Sequence, residues 1–242
     1  MSKTIAAFGL VTVLCAPPAA ARMQLREVDP EPPRGTLGVS LQVGQAKGQF
    51  ANYVDFGGGG GGYLLYRPGR NLPLGIRLHL MYLVYGSQTH RYPLVPGIDV
   101  DVTTKNEIAA VSLGPQVTLG HGPLHAYGFA GFGGSFFSTT SSVEGSDQNN
   151  QPFASTTNHE DGTLASEFGG GLLIRVSRRG PIAIDLGARY LNNGRVTYVT
   201  KERVSIVNNL LVVDPVDSEA NLIVYHLGVA IGLRRHAPLE DR

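Results

Sequence analysis

From Thr36 onward the chain alternates apolar and polar residues in run after run. Residues 181–190 show it most cleanly. Ile182, Ile184, Leu186, Ala188 and Tyr190 share one face of an extended strand; Ala183, Asp185, Gly187 and Arg189 share the other. A period of two marks a strand with one apolar and one polar face. Seven further stretches read as strands: 36–45, 60–67, 74–85, 107–119, 124–137, 165–177 and 220–233. In 74–85, for example, Leu74, Ile76, Leu78, Leu80, Tyr82 and Val84 oppose Arg77, His79 and Met81. The stretch 124–137 is glycine-rich and aromatic, and its phase is not legible. The strand at 181–190 could run on toward Val204.

The segments between these runs alternate in length. Tight connections at 68–73, 120–123 and 178–181 carry the Gly and Pro of turns. Long ones occupy 45–56, 86–104, 138–163 and 192–219. Strict alternation of short and long predicts up-and-down antiparallel strands with one elaborated end. Within the last long segment, Asn208-Asn209 between two apolar runs (204–207 and 210–213) reads as a hairpin tip, although a plain loop is the favoured reading.

Which way the apolar face looks decides the class. Tyr82, Phe168, Tyr190 and Tyr225 lie on the apolar face, at the long-loop end of their strands. Aromatics gather there when a lipid-facing wall meets headgroups, so these four are the expected girdle; the chain has no Trp. The polar face carries Arg77, His79, Gln116, Glu167, Arg175, Asp185, Arg189 and His226. If lipid lies outside, these fill a closed interior, for which eight strands leave just enough room. Buried charges need partners, so Glu167 and Asp185 are expected to pair with Arg77, Arg175 and Arg189. The fold class is therefore all-β, an eight-stranded antiparallel up-and-down transmembrane β-barrel.

Composition agrees. Charged residues make up 16%, below the roughly 25% usual for soluble domains. A net charge of +1 gives no argument for nucleic acid. Lys3, the apolar run 5–15 and Ala19-Ala20-Ala21 form a secretory signal with a cleavage site. The expected organisation is a signal peptide over 1–21, a periplasmic lead-in over 22–35, the barrel over 36–235 and a short tail over 236–242. The single cysteine, Cys15, falls in the signal, so the mature chain can form no disulfide.

On these features the chain resembles the small outer-membrane β-barrel superfamily, the OmpA/OmpX/OmpW-like and opacity-like porin proteins, over about residues 36–235. Asp185-Leu186-Gly187-Ala188-Arg189-Tyr190-Leu191 is similar to a D-x-G-x-R-Y strand of these barrels. His226-Leu227-Gly228-Val229-Ala230-Ile231-Gly232-Leu233 is similar to their C-terminal assembly signal. Leu233 stands where an aromatic is usual, and nine residues follow it (234–242). The resemblance implies a bacterial outer-membrane location, with both termini periplasmic and the long loops extracellular. The implied partners are outer-membrane lipid, lipopolysaccharide and the barrel-assembly machinery.

No chemistry stands out. The Ser/His arrangement of lipid A acyl hydrolases is absent: His159 precedes Glu160-Asp161-Gly162, and His226 precedes Leu227-Gly228. The glycine run 57–62 lacks the Lys-Ser/Thr of a phosphate loop. The loop acids Asp147, Glu160, Asp161, Asp214, Asp217 and Glu219 match no calcium-loop spacing and read as solvated charge. His90, His121, His125 and His159 make no zinc pattern. No enzyme, cofactor or metal is expected. A filled interior and long loops point to a structural or surface-interaction role. The alternatives are a narrow channel for small or hydrophobic solutes and a soluble periplasmic barrel binding an apolar ligand.

Overall fold

The structure is a computed structural model that describes residues 33–69, 72–95, 98–145, 152–177, 180–198, 204–207, 210–213 and 216–233. Most of the proposed lead-in, the signal segment and the tail lie outside these residues. Among the described residues, twelve strands occur in chain order. They are β1 (Gly35–Lys47), β2 (Phe56–Tyr66), β3 (Leu74–Val95), β4 (Ile98–His121), β5 (Leu124–Gly145) and β6 (Pro152–Arg175). Then come β7 (Ile182–Asn193), β8 (Arg195–Tyr198), β9 (Val204–Val207), β10 (Leu210–Val213), β11 (Val216–Glu219) and β12 (Asn221–Leu233).

Eight of them close on themselves in the order β1-β12-β7-β6-β5-β4-β3-β2. Neighbours run antiparallel throughout, from Gly35↔Tyr66 between β1 and β2 to Gly35↔Leu233 between β1 and β12. First and last barrel strands thus pair with each other, and the ring has no open edge.

Two of the segments expected to be long loops are strands. β3 and β4 continue as one hairpin to Val95 and Ile98, and β5 and β6 continue to Gly145 and Pro152. In β5 the sequence there swaps apolar alternation for Thr and Ser on both faces, as in Thr139-Thr140-Ser141-Ser142, whereas β4 alternates Ile98, Val100 and Val102 with Asp99 and Asp101. Hydroxyls tie the extension together: Thr89 to Thr103 at 3.0 Å and Thr104 to Ser141 at 2.9 Å. On the first hairpin Arg91 donates to both oxygens of Asp101, at 2.9 and 3.1 Å, and holds that carboxyl below the usual carboxylate range. The last long segment forms two ribbons, β8 with β11 and β9 with β10. The Asn208-Asn209 tip lies outside the described residues. The segment after β1 makes a short 3-10 turn, Gly48–Asn52.

The glycine run 57–62 is strand β2 itself rather than its lead-in. The neighbouring strand comes very close. A Cβ on Gly59 would stand 2.0 Å from the Tyr82 carbonyl oxygen, and one on Gly61 would stand 2.2 Å from Gln42 Nε2. Gly58 faces outward and meets nothing within 4 Å. Gly59→Ala is therefore expected to destabilise the folded barrel by about 2 kcal/mol, while Gly58→Ala leaves it within about 0.5 kcal/mol of the parent. Urea midpoints of the two variants in detergent micelles check this; equal midpoints would contradict the close approach.

Candidate functional site: the barrel interior and its outer belt

Inside and outside are inverted relative to a soluble barrel. The apolar alternates face out: Leu37, Val39, Leu41 and Val43 on β1, Ile182, Ile184 and Leu186 on β7, and Leu227, Val229 and Ile231 on β12 are all exposed. Arg77, His79, Gln116, Glu167, Asp185, Arg189 and His226 face in and are buried, Gln116 to 1% exposure. Charge is thus sequestered from solvent while large hydrocarbon surface is presented to it, which is costly in water and favourable in lipid.

The inward side chains form three levels. Nearest the short turns, Tyr63, Leu65, Tyr127, Phe129, Leu173, Ala183 and Ala230 form an apolar cluster. Arg77 sits over it in a cage of rings, its guanidinium carbon 3.7 Å from the Tyr63 ring centre and 4.4 Å from that of Phe129. Its Nη1 donates to Gln116 at 2.9 Å. The rings supply by cation–π attraction what a carboxylate was expected to supply.

The middle level is charged. Glu167 lies 3.2 Å from His79 Nδ1 and 3.4 Å from Arg189 Nε, and it accepts a hydrogen bond from the Ser112 hydroxyl. Arg189 also donates to Gln42 at 2.7 Å. Asp185 makes a separate group: the Tyr127 hydroxyl donates to it at 2.7 Å and lies 2.9 Å from His226 Nε2. His226 Nε2 is 3.5 Å from the same carboxylate.

The third level, toward the long hairpins, is apolar again. Met81, Leu83, Tyr85, Ile108, Phe137, Leu191, Leu222 and Val224 point inward there. Phe50, on the 3-10 turn, drops into this mouth and is fully buried. Its ring centre lies 5.4 Å from Tyr85 and 6.5 Å from Phe137, both edge-on. In the same half of the barrel, Asn193 accepts from Ser135 at 2.7 Å, and its backbone N–H donates to Asn221 at 2.9 Å.

The expected network is corrected in three respects. Of the five charges, only Glu167 and Arg189 pair with each other as ions. Asp185 is partnered by Tyr127 and His226, and Arg77 by aromatic rings and Gln116. Arg175 is half-buried near the short turns and joins neither group. Nor is the inward face polar throughout, because two of its three levels are hydrocarbon. Gln42, Ser112 and Tyr127 belong to the network without having been expected in it. Gln42 and Ser112 sit in phase with the polar rows of their strands. Tyr127 lies among glycines that hide the alternation of β5, where odd positions point in and even ones out.

All four girdle aromatics face outward. Tyr82 is eight residues up β3 from Leu74, Phe168 seven up β6 from Arg175, Tyr190 eight up β7 from Ile182, and Tyr225 eight up β12 from Leu233. Phe132, eight up β5 from Leu124, joins them at this level. Eight residues at about 3.3 Å, tilted by about 40°, rise about 20 Å, close to the height of a lipid-facing band. On β3 and β6 this level is not the strand end, because both strands continue past it. The Phe168 and Tyr190 rings pack at 5.4 Å.

The loop acids hold ordinary contacts: Asp161 accepts from the Thr197 N–H at 2.8 Å, and Asp217 pairs with Arg195 at 3.3 Å. Asp147 and Asp214 lie outside the described residues. No cluster able to hold a metal occurs among the described residues.

This is a closed eight-stranded barrel with an apolar exterior and a charged, filled interior. No family model and no curated protein matches the chain. Among solved structures it is similar to Ail, the attachment invasion locus protein of Yersinia pestis, at 14% identity over 83% of this chain and 98% of that one, with a TM-score of 0.42. It is also similar to a major outer membrane protein from Thermus thermophilus, at 14% identity over 81% and 98%, TM-score 0.43. Neisserial surface protein A follows at 13% identity over 82% and 97%, TM-score 0.37.

Breaking the buried ion pair has a calculable effect. Glu167→Gln strands Arg189 without a counter-charge and is expected to cost about 3–5 kcal/mol. Asp217→Asn, which opens the exposed pair with Arg195, is expected to cost less than about 1 kcal/mol. Denaturant unfolding in detergent separates them, and similar losses for both would contradict the buried pairing.

Proposed function

We propose that this chain is a bacterial outer-membrane barrel with a shut interior and a structural or surface-interaction role exercised by its long hairpins. The observation that carries the reading is the inverted polarity. Glu167 and Arg189 are buried inside while every barrel strand exposes large apolar side chains outside, such as Leu41, Leu64, Leu80, Leu113, Phe132, Phe168, Ile182 and Leu227. A soluble periplasmic barrel would place those two sets the other way round. The apolar belt is then covered by lipid and the lipid portion of lipopolysaccharide. The assembly-signal-like segment 226–233 lies within β12, the strand that closes the ring against β1, as a segment handled last by an assembly machinery would.

A shut interior follows from three stacked obstructions: the Phe50 cluster, the Glu167–Arg189 level and the caged Arg77. Side chains fill the bore as expected for eight strands. This argues against the channel alternative and leaves the hairpin end as the surface on which a partner can act. In the cell the hairpins face outward and the short turns face the periplasm.

Two measurements test this. The protein is expected to fractionate with the outer membrane and to migrate differently on a gel before and after boiling. In planar bilayers the parent barrel is expected to give no steady openings. Phe50→Ala alone is expected to stay silent, since the charged level and Arg77 remain below it. Phe50→Ala combined with Arg77→Ala and Arg189→Ala, one change at each level, is expected to show small conductance. Steady openings in the parent would overturn the shut-interior reading.

A further inference from the structure

We propose that the outer face of β3, β4 and β5 carries a seat for one lipid: a groove for an acyl chain, with Lys105 above it for a phosphate. The proposal deepens the outer-membrane reading and rests on it. Cross-strand pairing sets Gly60, Tyr82, Ala109, Phe136 and Gly162 side by side in one row. Tyr82 and Phe136 are large and exposed, whereas Gly60 and Ala109 carry almost nothing. Two aromatic walls therefore stand on either side of a low floor. The resulting groove holds about 380 Å³ and is continued by Leu80 and Val111. It lies in the apolar belt, at the level of the girdle.

Position and shape select the occupant. Hydrocarbon chains are what meets this face in a bilayer. A recess one residue wide between two rings admits a flexible chain, whereas the flat wall of a second barrel would bridge the rings and leave the floor empty.

The head is indicated by what stands above. On a strand, positions two apart share a face, so Glu107 and Lys105 continue the column of Ala109 toward the hairpin end. The Glu107 carboxylate lies close to the Tyr82 hydroxyl. Lys105 is exposed and has no hydrogen-bond or ion-pair partner among the described residues; its neighbours across the sheet are Ser87 and Thr140. It lies four residues above the groove floor, about 13 Å along the strand. It thus stands just beyond the girdle on the hairpin side, where an ammonium meets lipid phosphate. Glu107 opposes a bare phosphate but accepts hydrogen bonds from hydroxyls. The matching lipid is thus anionic, with a phosphate and neighbouring hydroxyl groups, as in a glycerol or sugar headgroup.

The absence of Trp makes the test direct. Phe136→Trp places a single fluorophore in the groove wall, and Tyr225→Trp places one on the far side of the barrel. Each is reconstituted in phosphatidylcholine vesicles containing brominated phosphatidylglycerol, or brominated phosphatidylcholine as reference, and quenching is converted to a relative binding constant. One lysine at a membrane surface corresponds to a preference of about five-fold. That preference for phosphatidylglycerol is expected at the Phe136→Trp position, and about unity at Tyr225→Trp. Adding Lys105→Gln is expected to return the groove value to unity, and adding Ala109→Leu, which fills the floor, to do the same. Equal constants at the two positions, or a preference that survives both substitutions, would overturn the seat. Failure of the underlying reading looks different: neither Trp would then be quenched by brominated phosphatidylcholine.

Discussion

A chain with lipid on one side and a dry bore on the other has nowhere to send an unpaired backbone group. Closure of the ladder between β1 and β12 meets that constraint, and the rest of the structure depends on it. Once the ring is closed its diameter is set by the number of strands. The side chains that point inward must then fill a fixed volume. This explains why glycines lie opposite large inward groups: Gly38 beneath the Tyr63 ring, Gly61 beneath Gln42 and Gly187 beneath His226. Each bulky polar group occupies the space its neighbour gives up.

The same constraint governs the charges. Buried ions without partners are prohibitively unfavourable, and the interior uses three different solutions within one turn of the sheet. Glu167 and Arg189 neutralise one another directly. Asp185 is solvated by a hydroxyl and an imidazole. Arg77 is held by π faces and one amide. The apolar clusters above and below keep water away from all three. They also make each solution obligatory, since a lost partner cannot be replaced by solvent.

Much of this is legible in the sequence, and the limits are instructive. Period-two alternation locates most of the barrel strands, the glycine-rich β5 being placed without its phase, and the choice of which face looks outward follows from aromatics and loop lengths. Strand ends are misplaced where alternation stops carrying information. In 138–163 both faces of the hairpin are largely polar, so Ser and Thr strands read as loop; in 86–104 the alternation of Ile98, Val100 and Val102 with Asp99 and Asp101 is short and stands apart from the run in 107–119. Inside the bore, sequence phase identifies who points inward but not who touches whom. Asp185 and Arg77 are both inward on β7 and β3 and both lie against Tyr127, yet Asp185 takes its hydroxyl and Arg77 its ring face, which a linear pattern does not show. Leu83 and Val224 lie in the polar phase of strands whose lower halves carry His79 and His226. The inward face changes character with height, which a rule applied along the whole strand cannot express.

The extension of β3, β4, β5 and β6 beyond the belt has a mechanical consequence. These hairpins are not tethered loops; they are the same strands that cross the membrane, hydrogen-bonded without interruption from Leu74 to Val95 and from Leu124 to Gly145 apart from local register shifts. They behave as a lever whose fulcrum is the lipid belt. Were the barrel to tilt by about ten degrees, an arm of about 30 Å would carry its tip about 5 Å sideways. The outermost residues thereby follow the orientation of the barrel, with no hinge between them and the belt.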